Sequence, residues 1–147
     1  KSKYGIVNLH TGLSPYVKGS PNCTNWCIAE EKFHLIGNTV MWIDKGIDSG
    51  NIILSKFVGF EGNECLTIIH RKVMNQAHDA YIEAIDKVRT GKAKSVKQSE
   101  ISKGFTYYNR DWKLKNKIKL ALNVKKFNKS VLNGSVLKKR ERVITVN

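Results

Sequence analysis

Acidic residues are scarce in this chain, 12 Asp and Glu against 26 Lys and Arg, which leaves a formal net charge of +14. Such an imbalance disfavours basic partners and points to phosphate-bearing or otherwise anionic ones. Cysteine is sparse too. Cys23, Cys27 and Cys65 are odd in number, and the C-x-x-x-C spacing of the first two has no second pair to complete a zinc site. Reduced, partly buried thiols are expected instead. Long apolar runs are missing: no stretch approaches the roughly 18 to 20 residues that span a bilayer, and no apolar h-region opens the chain. A soluble, cytoplasmic protein without a membrane partner is expected. No internal repeat is present.

What the chain does have is enough apolar matter, 41% of 147 residues, for one compact core. Its charge is concentrated at one end. Residues 113 to 147 hold eleven Lys and Arg against the single acid Glu141, so +10 of the +14 belongs to the last quarter. The first residue is Lys, and a strand falls within the first ten residues, from which we expect an upstream part of a larger protein.

Tyr4 to Leu9 reads as a short buried strand, and Thr11 to Pro21, rich in Gly, Ser and Pro, as an irregular loop whose backbone is free to meet a ligand. Asn22 to Glu31 reads as a short helix. Thr39 to Ile43 and Asn51 to Phe57 are β-branched apolar runs, joined by a Gly-containing loop too long for a two-residue hairpin turn. From Leu66 to Val88 the apolar positions recur at three- and four-residue intervals, which predicts the longest helix, stopped near Gly91. Beyond it the pattern predicts a strand at Gly104 to Tyr108 and a basic helix from about Asp111. A small terminal hairpin is expected to turn at Asn133-Gly134.

Asn8 and His10 lie two apart at a strand's end, so both side chains project to one side. A carboxamide donor beside an imidazole suits polarisation of a carbonyl and stabilisation of the oxyanion formed on nucleophilic attack. Asp48, in the loop between the two later strands, is placed to orient the imidazole and accept a proton. Such a trio fits acyl transfer. His34, His70 and His78 have no acid partner at metal-site spacing and read as solvated or hydrogen-bonded.

The stretch from Asn8 to Gly19, NLHTGLSPYVKG, resembles the Asn-x-His loop of the folate-dependent formyltransferases, whose usual form runs Asn, Ile or Val, His, any, Ser, Leu, Leu, Pro, any, aromatic, basic, Gly. Residues 37 to 53, GNTVMWIDKGIDSGNII, resemble the same family's Asp-containing segment. Gly12, Ser14 and Val17 depart from the pattern, standing where the family has Ser, Leu and an aromatic.

The resemblance implies an α/β fold, the C-terminal part of a Rossmann-like mixed sheet flanked by helices. Residues 1–103 would form the core portion and 104–147 a basic extension. It implies 10-formyltetrahydrofolate as formyl donor, with no metal. Asn8 and His10 would hydrogen-bond the formyl oxygen, and Asp48 would set the histidine's charge. The backbone of Ile43, Asp44, Lys45, Gly46, Ile47 and Asp48 would line the pterin pocket, with Gly46 and Gly50 supplying positive φ.

Thr11, Gly12, Leu13, Ser14, Pro15 and Lys18 would meet the amine substrate. Tyr107 and Tyr108 are further candidates, for stacking on a base or sugar. Among the family's acceptors a nucleotide-linked amino sugar is expected first, with initiator methionyl-tRNA and glycinamide ribonucleotide as alternatives. A reading of another class is a basic nucleic-acid-binding module on an inactive core, which the tail charge favours.

Overall fold

The computed structural model describes residues 5–19 and 22–147, so Tyr4 and Pro21, included in two of the expected segments, lie outside the described residues. The strands β1 (Val7–His10), β3 (Gly37–Trp42) and β4 (Ile52–Phe57) form an antiparallel sheet in the order β1-β3-β4. All of β3 but Trp42 is buried, as befits the central strand of the sheet, and its two polar residues Asn38 and Thr39 are buried with hydrogen-bond partners. Val40 faces Leu54 while Met41 faces Ile52, so Ile53 is an extra residue on β4, and this bulge lies beside the loop that joins the two strands.

The helix α2 (Leu66–Arg89) lies across this sheet. Its buried stripe of Ile69, Val73, Ala77, Ala80 and Ala84 follows the three- and four-residue spacing, and Val40, Ile53 and Leu54 receive its second half. Burying one such Val or Ile side chain contributes roughly 1.5–3 kcal/mol. Asn38, fully buried on β3, donates its amide to the Val73 carbonyl at 3.0 Å and to the Gln76 side chain, pinning helix to strand. The helix stops where Gly91 takes φ +71°, which lets its N–H reach Val88 and the Lys92 N–H reach Lys87.

The loop after β1 is not wholly irregular. It contains β2 (Val17–Gly19), which pairs in parallel with β5 (Phe105–Tyr107), so its backbone donors and acceptors are partly spent on that ladder. After α1 (Cys23–Ala29) and a 3-10 turn, the second half of the core gathers Trp26, Ile28, Phe33 and Phe127. Phe127 comes from α3 (Leu114–Leu132) and sits edge-on to Phe33 and Phe60, at centroid distances of 5.5 and 4.9 Å. Asn123 of the same helix donates to the carbonyls of Ile28 and Ala29, satisfying acceptors at the end of α1.

The expected terminal hairpin is absent. Asn133 closes α3, Gly134 at φ +73° reverses the chain, and α4 (Ser135–Arg140) follows. Asn-Gly favours positive φ in either setting, and the packing of Phe127 and Val131 from α3 and Val136 from α4 into one core selected the helical one. The chain then returns to β4, where Ser55 and Val146 exchange two hydrogen bonds of 2.7 and 2.8 Å. Among the described residues no helix is long and apolar enough to cross a membrane.

Candidate active site

Antiparallel pairing with β3 sets Asn8 opposite Met41 and His10 opposite Thr39, so both polar side chains leave the sheet on one side near the end of β1. Asp48 meets them from the loop of residues 43 to 51. Its Oδ1 accepts the Asn8 Nδ2–H at 3.2 Å, its Oδ2 accepts the Gly19 N–H at 2.9 Å, and the same Oδ2 lies 3.4 Å from His10 Nδ1. The three side chains singled out in the sequence are thus brought into one cluster, with the His10 and Asp48 side chains 9% and 15% exposed. Partial burial lowers the local dielectric and strengthens each of these interactions.

The other ring nitrogen of His10 donates to the Val17 carbonyl at 3.1 Å. Each ring nitrogen therefore faces an oxygen acceptor. The ring fits because residue 12 is glycine: a Cβ there would meet His10 Nε2 at 2.3 Å and the Val17 carbonyl oxygen at 2.9 Å. With this backbone, any side chain at position 12 would require the ring to shift. Thr39 holds the same loop from beneath, donating to the Gly12 carbonyl at 2.8 Å and accepting the Ser14 N–H at 2.9 Å.

Cys23 also approaches His10, with Sγ 3.7 Å from Nε2. Burial, and then the charge of Asp48, push its thiol up to about 12, so it stays protonated and is a poor nucleophile.

The loop bearing Asp48 is held by a residue that the sequence reading missed. Gln98, 7% exposed, donates its side-chain amide to the Asp48 carbonyl at 2.7 Å and to the Gly50 carbonyl at 2.8 Å. Fifty residues separate Gln98 from Asp48, and a lone Gln in a polar stretch carries no periodic signal. The positive φ expected of Gly46 and Gly50 falls instead on Asp48, at +46°. Gly50 is required for a different reason, since a Cβ there would lie 1.7 Å from the Trp42 carbonyl oxygen. The Ser49 hydroxyl and the Gly46 N–H hold the Asp44 carboxyl below its ordinary range.

Between β1, β3 and this loop is a cleft of about 280 Å³ lined by Asn8, Met41, Trp42, Ile43, Ile47 and Asp48, with Asp44, Gly46, Ser49 and Gly50. Ile43 and Ile47 are 54% and 59% exposed, apolar surface at the lip of a polar cluster. Of the other sequence candidates, Gly12, Leu13, Ser14 and Pro15 are buried, and Thr11 and Lys18 are half-buried. Lys45 is exposed on the loop. Tyr107 is buried, stacked on Trp26 at 4.7 Å and hydrogen-bonded to Glu30 and Lys32, and Tyr108 is exposed beneath Arg110. Neither tyrosine lines the cleft.

An amide donor, an imidazole and a carboxylate at a strand end, beside a cleft of mixed polar and apolar walls, form a site that can bind a carbonyl and manage the charge of its addition. Comparison with known proteins gives the same class. The family model described as formyl transferase matches residues 1–85, and the chain belongs to that family.

Methionyl-tRNA formyltransferase of Caldanaerobacter subterraneus subsp. tengcongensis is 30% identical over 98 residues, 67% of this chain and 31% of that protein. The enzyme of the same name from Flavobacterium psychrophilum is 35% identical over 107 residues, 73% of this chain and 33% of that one. The chain thus spans about a third of the length of these curated relatives. Among solved structures, the formyltransferase PseJ of Anoxybacillus kamchatkensis, in complex with UDP-4,6-dideoxy-4-formamido-L-AltNAc and tetrahydrofolate, is 27% identical, with a TM-score of 0.62 over 74% of this chain and 55% of that one. A sugar 3N-formyltransferase, WlaRD, at 20% identity and a TM-score of 0.66, covers 82% of this chain and 46% of that one and shares the fold.

Proposed function

We propose that this chain carries the catalytic cluster of an enzyme that transfers a formyl group from 10-formyltetrahydrofolate to the primary amine of a nucleotide-linked amino sugar. The observation that carries the reading is the convergence of Asn8 and His10 on the Asp48 carboxylate. When bound, 10-formyltetrahydrofolate supplies a formyl carbonyl whose carbon–nitrogen bond breaks as the acceptor amine's bond forms. The cleft suits such a donor, because exposed Ile43 and Ile47 flank it as apolar partners for a flat ring and the loop backbone offers polar ones.

Asn8 has a second amide hydrogen beyond the one given to Asp48, and His10 Nε2–H can exchange the Val17 carbonyl for a substrate oxygen. Both then donate to the oxygen that gains negative charge. Asp48, already bonded to Asn8 and beside the ring, holds both donors in place, receives the proton that leaves the attacking amine and passes it to the departing folate nitrogen. The nucleophile is the acceptor's own unprotonated amine, so no enzyme Ser or Cys is needed.

The sugar acceptor is supported by the likeness to the PseJ structure, which holds a UDP-linked formamido sugar. A second reading, methionyl-tRNA as acceptor, is favoured by the curated relatives at 30% and 35% identity and by the basic end of the chain. The test is an assay of tetrahydrofolate release by the full-length protein, supplied with 10-formyltetrahydrofolate and, in turn, amino-sugar nucleotides, methionyl-tRNA and glycinamide ribonucleotide. Turnover with an amino-sugar nucleotide is expected. Turnover with the tRNA alone would transfer the site to the second reading, and silence of a folded protein on all three would overturn formyl transfer.

A further inference from the structure

Adjoining the donor cleft at Ser49 is a second pocket, of about 360 Å³, built by three segments far apart in the chain. Lys18 comes from β2, Ser49 from the Asp48 loop, and Lys97, Gln98, Ser102 and Lys103 from the stretch after α2. We propose that this pocket seats the phosphate groups of the amine acceptor, so that donor and acceptor meet at the Asp48 loop from two adjoining pockets.

Charge is the first support. Three lysines, Lys18 from β2 and Lys97 and Lys103 from the stretch after α2, line one small pocket and no acidic residue does; Glu100, on the neighbouring 3-10 turn, is not among its walls. Among the described residues none of the three ammonium groups is paired with a carboxylate, whereas Lys32, Lys56, Lys72, Lys87 and Lys126 all are. Converging unpaired cations raise the local concentration of an anion, and their mutual repulsion is relieved when one binds.

Position is the second support. Ser49 follows Asp48 directly and is the one residue common to both clefts, and Lys18 precedes Gly19, whose N–H is bonded to the Asp48 carboxylate. A group held here is therefore one residue from the catalytic cluster along two different segments.

The third support is an unsatisfied atom. Gln98 spends its amide nitrogen on the loop carbonyls, and its buried Oε1 has no hydrogen-bond partner. A buried carbonyl oxygen without a donor is costly, by roughly 1–3 kcal/mol, unless something outside the chain supplies one. A ligand that brings an O–H or N–H together with phosphate satisfies the oxygen and the lysines at once, a combination offered by a nucleotide-linked amino sugar rather than by bare phosphate.

The catalytic meaning of this pocket rests on the formyl-transfer reading, whereas its anion affinity can be tested without turnover. Pyrophosphate, UDP and a short single-stranded RNA are titrated separately into the isotope-labelled protein, and backbone amide shifts are followed by NMR. Pyrophosphate and UDP are expected to shift Gly19, Ser49, Gln98 and Ser102 saturably, with binding weakened at least tenfold in the double variant Lys97→Ala/Lys103→Ala, whose exposed positions leave the fold intact. Shifts confined to the basic segment 138 to 142, unchanged affinity in the double variant, or a response at these amides to RNA alone would each overturn the proposal. In the turnover assay the same variant should raise KM for a phosphate-bearing acceptor more than it lowers kcat, and an unchanged KM counts against the pocket. Binding that holds while no acceptor is formylated would instead count against the reaction.

Discussion

The Asp48 loop and helix α3 are built in opposite ways. The loop buries little, exposes Ile43 and Ile47, and is tied to distant residues by a few hydrogen bonds, one each from Asn8 and Gly19 and two from Gln98. Helix α3 carries much of the chain's charge and keeps it in water, while Phe127 and Leu120 dock into the core with Asn123. In the loop, polar contacts determine where one carboxylate sits. In the helix, packing determines where the whole element sits and most of its lysines are bystanders. A substitution in the first should therefore injure chemistry before stability, and one in the second should do the reverse.

The sharpest test of the first half is His10→Ala or Asp48→Asn in the full-length protein. Either should lower formyl-transfer turnover by about 10²–10⁴-fold, the usual range for losing a positioned acid–base group, with little change in thermal midpoint. Wild-type rates would remove both residues from the proposed mechanism. The matching test of the second half is Phe127→Ala, which should lower the unfolding free energy in urea by about 3–5 kcal/mol. The variant, while folded, should keep near-normal turnover.

Gln98→Leu joins the two regimes. It removes both loop hydrogen bonds at similar volume, and stability should fall by only about 1–2 kcal/mol. Turnover should fall by roughly tenfold, which corresponds to about 1.4 kcal/mol of barrier. A loss of stability with unchanged turnover would show that the loop holds Asp48 without this amide.

The smallest expected effect is one of pH. Burial acts to raise the Glu64 carboxyl pKa, but the Lys72 ammonium and the N–H groups of Glu61 and Gly62 outweigh it and hold the carboxyl at about 2. Its folded value is thus depressed, so the unfolded chain binds the proton more readily. The stabilisation is complete above the ordinary value of 4.5 and is lost as pH falls from there toward about 2. Thermal midpoints measured down that range should fall less steeply in Glu64→Gln than in the parent chain.

Sequence by itself determined the longest helix, the two longest strands and the identity of the clustered side chains. The spacing from Leu66 to Val88 marked α2, the β-branched runs marked β3 and β4, and the two-residue step from Asn8 to His10 placed both side chains on one side of a strand, because helix and strand periods are local properties of the chain. The contacts that hold the cluster were decided by tertiary structure. Gln98 reaches Asp48 across fifty residues, the imidazole of His10 occupies the space left by Gly12, β2 finds its parallel partner in β5, and the Asn-Gly at 133 and 134 turns between helices because Phe127 and Val136 have a core to fill. None of these follows from periodicity, since each depends on which distant surface is presented to the residue once the core has closed.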